Sequence, residues 1–165
     1  MNQELRIEPL ALHGQALPLL QAWFEAEWPA WYGPGGSGNA ASDLAAFASR
    51  GSLPMGVLAL TNGLPCGVAA LKFESIPSHR HLSPWATAGY VDPSMRGQGI
   101  GARLLAALEH EAARLGFDQI YCGTSSAQSL LQRCGWQLLE RTTHDGKELG
   151  IYCKTLEQLP DSPST

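Results

Sequence analysis

Residues 90–108 read Tyr90-Val91-Asp92-Pro93-Ser94-Met95-Arg96-Gly97-Gln98-Gly99-Ile100-Gly101-Ala102-Arg103-Leu104-Leu105-Ala106-Ala107-Leu108. An apolar strand ends, a short turn follows, and a glycine-rich segment opens a helix. Glycines at positions 97, 99 and 101 leave no side chain between the backbone N–H groups and whatever lies in front of the helix. The first amides of a helix lack internal partners, and its dipole favours negative charge there. A phosphate-bearing ligand is the natural occupant of such a terminus. Arg96, directly before the glycines, adds a fixed positive charge whose donors suit phosphate.

Working outward, Pro84 to Val91 reads as the strand that feeds the turn. Apolar residues at Ile100, Leu104, Leu108, Ala112 and Leu115 predict a helix from about Gly99, closed by Gly116. Gln119 to Gly123 is the next strand. Together these make a strand–helix–strand unit whose two strands should be parallel neighbours. A short helix follows, with Ser125 and Gln128 at capping-box spacing and Ala127, Leu130, Leu131 and Cys134 on one face. Trp136 to Thr143, the Asp145-Gly146 turn and Glu148 to Thr155 predict a final hairpin.

Upstream, Leu5 to Leu10 alternates as a first strand, and Pro9 marks its end or an edge. Leu17, Leu20, Trp23 and Phe24 fit a helix from Gly14 to Glu27. The segment from Trp28 to Gly38 is a turn-rich loop with three large aromatics, read either as packing against the core or as a wall over a binding site. Asn39 or Ser42 caps a second helix, which Gly51 stops. Met55 to Thr61 and Leu64 to Phe73 flank Asn62-Gly63, a tight-hairpin signal. Both arms are apolar on both faces, which implies a hairpin covered on two sides. Glu74 to Ser83 is a polar connection. The order implies a mixed α/β sheet flanked by helices.

A chain of 165 residues, 44% hydrophobic and 16% charged, suits one domain with a substantial core. We expect it to span residues 1–158, with residues 159–165 a disordered tail. A formal net charge of −4 lacks the basic field of a nucleic-acid binder. No run approaches a membrane span and the N-terminus has no signal-peptide core, so the expected location is cytoplasmic. Cys66, Cys122, Cys134 and Cys153 sit in apolar runs without zinc spacing and read as buried free thiols.

Three phosphate-cradling motifs compete for the glycine-rich turn. A P-loop needs lysine and then serine or threonine after its last glycine, but Ala102-Arg103 follows Gly101. A dinucleotide fold needs GxGxxG/A, which Gly97, Gly99 and Ala102 satisfy, yet no acidic residue ends the following strand and Asp118 precedes it. The third reading fits best: Arg96-Gly97-Gln98-Gly99-Ile100-Gly101 matches the Q/R-x-x-G-x-G/A signature of acyl-CoA-dependent N-acetyltransferases. Here the chain resembles the GNAT superfamily, most sharply from Pro84 to about Trp136 and in element order over nearly its whole length.

The resemblance implies a centrally splayed sheet that binds acetyl-CoA between two parallel strands. Gly89, Tyr90 and Val91 would meet pantetheine and the thioester carbonyl. The amides of Arg96, Gly97, Gln98, Gly99, Ile100, Gly101 and Ala102 would hold the pyrophosphate. In the family the short helix carries N-x-x-A-x-x-x-Y-x-x-x-G-F/W, with asparagine on pantetheine and tyrosine protonating the thiolate. This chain keeps Ala127, Gly135 and Trp136 but has Thr124 and Leu131 at those two positions. With the usual acid missing, Tyr152 is a possible acid, and Tyr90, Tyr121, Cys134 or water remain open. Glu74, leaving the third strand where family acceptor sites lie, is the leading base.

Trp28, Trp31, Tyr32, His81 and Trp85 could form an acceptor pocket that holds a cationic amine. The His79-x-His81 pair lacks a third ligand, so no metal is expected. The expected function is transfer of acetyl from acetyl-CoA to a small-molecule or peptide amine by direct attack. A non-catalytic acyl-CoA sensor and a dinucleotide-dependent oxidoreductase are the alternatives. No nucleic-acid or membrane partner is expected, and the final hairpin makes a homodimer possible.

Overall fold

The computed structural model describes residues 4–144 and 146–156. Its centre is a seven-stranded sheet in the order β1-β2-β3-β4-β5-β7-β6. The chain runs β1 (Leu5–Pro9), α1 (Leu17–Glu27), α2 (Pro29–Tyr32), α3 (Ala40–Phe47), β2 (Met55–Thr61), β3 (Leu64–Lys72), β4 (Trp85–Val91), α4 (Ile100–Arg114), β5 (Gln119–Thr124), α5 (Gln128–Arg133), β6 (Gln137–His144) and β7 (Lys147–Thr155).

Every neighbouring pair is antiparallel except β4 and β5. That parallel pair is joined only near its N-terminal ends, where Trp85 faces Tyr121 and the Tyr121 N–H donates to Pro84 O at 3.0 Å. Beyond this point the strands part, and the gap opens toward Val91 and Thr124. The expected splayed α/β sheet is therefore present.

The hairpin signal at Asn62-Gly63 is realised with φ of 52° and 81°, the left-handed geometry that matches strand twist in a two-residue turn. β2 and the middle of β3 are buried on both faces, as their unbroken apolar runs require. On one face α4 lays Leu104, Leu105, Leu108 and Ala112 against β2, β3 and β5. On the other, Leu20 and Phe24 of α1 join Leu44 and Phe47 of α3 over Leu58, Val68 and Ala70.

The connection between β3 and β4 covers the same face further along, with Ile76 packed beside Trp85 and Ile151. His79 in that connection is buried, bonded through Nε2 to Glu140 on β6 and through Nδ1 to Ser78 Oγ at 2.7 Å. These contacts strap the connection across β5 and β7.

Several boundaries differ from expectation. The segment Gly14–Ala16 is a 3-10 turn, and α1 starts only at Leu17 with Pro18 in its first turn. The aromatic loop contains the one-turn helix α2. Asn39 does cap α3, accepting the Ser42 N–H, but the helix ends at Phe47 rather than at Gly51. Ser125 does not cap α5; Thr124 Oγ1 instead holds the turn ahead of the helix, accepting the N–H groups of Ser126 at 3.1 Å and Ala127 at 2.8 Å.

Of the four free thiols only Cys66 is fully buried, because Cys122, Cys134 and Cys153 retain partial exposure. The predicted disordered tail and Asp145 lie outside the described residues; Gly146, which is described, takes φ 77°. No helix of the described residues is long and apolar enough to cross a membrane.

Candidate active site

The splayed strand β4 is bulged at its centre. Thr87 pairs with Ala70 and Tyr90 with Val68, so Ala88 and Gly89 together face the single residue Ala69. Ala88 sits at φ 56°, a left-handed conformation a bulge can impose on a small residue. Gly89 is exposed, with nothing within 4 Å of where a Cβ would stand. The bulge thus interrupts the ladder to β3 at the edge of the gap. Backbone groups on an interrupted, exposed strand are free to meet an extended ligand.

From Val91 the chain turns through Pro93–Met95, held by Asp92, whose carboxylate accepts the Ser94 N–H and hydroxyl, both at 3.1 Å. Gly97 and Gly99 then take φ of 80° and 83°. Gly99 is the N-cap of α4, and its carbonyl accepts the Arg103 N–H at 3.1 Å. A glycine without a Cβ adopts this conformation at little cost. The space around both glycines is open, whereas a Cβ at Gly101 would meet Leu130 at 3.2 Å.

Gln98 and Gly99 are exposed, Gly101 and Ala102 half-buried, and Ile100 turns its side chain into the core. These left-handed glycines lead into the 15-residue α4, whose first amides lack partners within the helix and whose dipole lies behind them.

Arg96 is engaged otherwise than its charge alone implied. Its Nε donates to Val91 O at 2.8 Å, its terminal nitrogen lies 3.4 Å from Glu27 Oε2, and its guanidinium stands 5.4 Å from the centre of the Tyr90 ring. Tyr90 in turn packs against Trp23 at 5.1 Å and Trp28 at 6.4 Å between ring centres. Tyr32 stacks on Phe24 and donates its hydroxyl to Asp43 at 2.7 Å; burial, then that carboxylate, raise its pKa. One wall of the gap is therefore aromatic, formed by α1, α2 and β4.

The proposed acceptor residues separate accordingly. Trp28 and Tyr32 belong to that wall, and Trp31 stands at its exposed edge against Tyr32. Trp85 does not join them, because it is fully buried and spends its indole N–H on Leu82 O at 2.7 Å. His81 stacks on His79 at 5.9 Å, in the β3–β4 connection. Glu74 is exposed in the same connection, two residues past the end of β3. The neighbouring Ile76 reaches over Gly123 of β5, so this connection forms the opposite wall.

Thr124 is buried at the end of β5, where its Oγ1 accepts the Ser126 and Ala127 N–H groups. Tyr152 has no exposure, and its hydroxyl donates to Gln128 Oε1 at 2.9 Å. Tyr121 directs its hydroxyl to Gln119 at 2.9 Å, and burial raises its pKa. Leu131 is also buried, so the position of the family's usual acid belongs to the core. No group of three metal-ligating side chains occurs among the described residues.

Spacing in the sequence had no means of showing Trp23 and Glu27 at the site, since Glu27 and Arg96 stand 69 positions apart. The model of the acetyltransferase (GNAT) family matches residues 20–136. This chain belongs to that family. The match covers both walls, the bulged strand and the glycine-rich turn. Among solved structures, an aminoglycoside 6'-N-acetyltransferase complexed with coenzyme A is similar at a TM-score of 0.75 and 16% identity, over 94% of this chain and 99% of that one.

The putative acetyltransferase yncA from Salmonella typhimurium, solved with acetyl-CoA, is similar at 0.67 and 18%, with both chains fully covered. A second aminoglycoside N-acetyltransferase in complex with CoA gives 0.69 and 19%, over 89% of this chain and 97% of that one. These likenesses establish a shared fold. Comparison with curated proteins finds no match.

Proposed function

We propose that this GNAT protein transfers the acetyl group of acetyl-CoA to an amine by direct attack on the thioester. The observation that carries the reading is continuity: the strand gap at the β4 bulge leads directly to the left-handed glycines before α4. The site fits an acyl-CoA ligand. The amides from Arg96 to Ala102 would hold its diphosphate, the segment Gly89–Val91 would align its pantetheine end, and the Thr124 hydroxyl would donate to it. Acetyl-CoA supplies an acetyl group activated as a thioester, whose thiolate is a good leaving group.

The remaining work falls to this chain. An alkylammonium with a pKa of about 10 must lose a proton before it can attack. Glu74, on the connection opposite the aromatic wall, is the carboxylate we assign to accept that proton through water. Backbone N–H groups at the bulge polarise the carbonyl oxygen as charge develops on it. With Tyr152 and Leu131 enclosed, water protonates the departing thiolate.

The acceptor is a small-molecule or peptide amine, and aminoglycosides, polyamines, amino acids and peptide amino termini form the panel to try. The test is release of CoA thiol from acetyl-CoA across that panel. Turnover above the acceptor-free background supports the enzyme. The absence of saturable acetyl-CoA binding by calorimetry would overturn the reading. The buried Leu131 favours one second reading, a non-catalytic acyl-CoA sensor, which tight binding without turnover on any amine would support.

A further inference from the structure

The guanidinium of Arg96 rests in surroundings that suit any organic cation. It faces the Tyr90 ring at 5.4 Å and the Glu27 carboxylate at 3.4 Å. A cation within about 6 Å of an aromatic centre is held by the ring quadrupole, and the carboxylate supplies the countercharge. Glu27 ends α1 and is followed by Trp28, which meets Tyr90 edge-on at 6.4 Å. Tyr90 adjoins Gly89 in the bulged strand. The cation therefore sits beside the place assigned above to the thioester.

We propose that Arg96 is the resident occupant of an ammonium-binding site made by Glu27 and Tyr90, and that the diphosphate of coenzyme A opens this site by drawing Arg96 away. The inference rests on the acetyl-CoA-dependent reading and adds the acceptor class to it: amines that arrive protonated.

The strengths of the contacts support an exchange. The Arg96 and Glu27 side chains are 51% and 39% exposed and meet at 3.4 Å, a long and solvated ion pair of small worth. The Nε bond to Val91 O at 2.8 Å is therefore the main contact the diphosphate has to replace. A diphosphate offers more charge and paired oxygens to a guanidinium, and such charge-assisted pairs are the stronger kind. Gly97, with open space around it, is the very next residue. Departure of the guanidinium leaves a carboxylate and an aromatic face without their cation. The acceptor's ammonium replaces it.

A calorimetric cycle with coenzyme A tests this without knowledge of the acceptor. Glu27→Gln removes the competitor for Arg96 and should tighten coenzyme A binding by about two- to fivefold. The same substitution in an Arg96→Gln background should change nothing. Pantetheine, which lacks the diphosphate, should bind the wild type and Glu27→Gln equally. For an amine acetylated in the panel, Glu27→Gln should raise the amine KM by about tenfold and leave the acetyl-CoA KM unraised. An unchanged coenzyme A affinity in Glu27→Gln, or an equal change in the Arg96→Gln background, would overturn the exchange. Wild-type protein that fails to bind coenzyme A would overturn the acetyl-CoA reading itself, and this inference with it.

Discussion

The Tyr152 hydroxyl donates to Gln128 Oε1 at 2.9 Å and so ties the middle of β7 to the first residue of α5. We expect this bond to serve the fold. Tyr152→Phe should lower stability by about 1 kcal/mol, because the amide oxygen loses its donor, while kcat changes by less than about twofold. Urea denaturation and steady-state kinetics read the two effects separately. A large loss of kcat with stability intact would instead return Tyr152 to the role of acid.

Restoring tyrosine at the family's acid position should not create an acid. Leu131 is 1% exposed and packs in the core with Trp136 and Tyr152. Leu131→Tyr adds a ring and a hydroxyl to filled space, so a loss of about 1–3 kcal/mol is expected. The readout is thermal unfolding, with turnover measured at a temperature where the variant stays folded. A stable and faster variant would contradict this packing.

Two substitutions at Gly99 separate backbone strain from ligand charge. At φ 83°, with open space around it, Gly99→Ala should cost about 1 kcal/mol in strain alone. Gly99→Glu carries similar strain but sets a carboxylate before the amides of α4, where a diphosphate would have to sit. Coenzyme A affinity should fall by at least about tenfold in the glutamate variant relative to the alanine one. Calorimetry on the two proteins gives the comparison.

Cys122 predicts an alkaline dependence. The residue keeps some exposure, but burial around its sulfur pushes the thiol from 9.0 up to about 12. The folded state therefore holds this proton more tightly than the unfolded chain does. The resulting stability is whole below the unfolded value and drains away as pH climbs toward the folded one. Between pH 7 and pH 10 the wild type should lose more stability than Cys122→Ala. Denaturant midpoints of both proteins at the two pH values check the sign.

Much of the fold lay open in local chemistry. Asn62-Gly63 specified its hairpin, the apolar stripe from Ile100 to Leu115 specified α4, and the glycine spacing marked the left-handed turn before it. These signals act over a few residues. The acceptor side was illegible for the converse reason: its partners come from distant elements. Trp85 and Tyr152 are chemically able to serve a site, and only tertiary packing encloses them. Glu27 was an unremarked helix residue until folding brought Arg96 to it. His79 likewise gained its role from Glu140, a residue on the far edge of the sheet.

The single Trp85–Tyr121 junction gives the molecule a mechanical character. Four strands lie on one side of it and three on the other, two plates joined at one end of the sheet and spanned by α4 and by the β3–β4 connection. An extended ligand in the gap would bridge the plates along the length where they now stand apart. Amides of β5 and of β4 near the gap should then exchange with deuterium more slowly when coenzyme A is bound, while those in the β2–β3 hairpin change little. For such a protein, the ligand is also a missing rung of the scaffold.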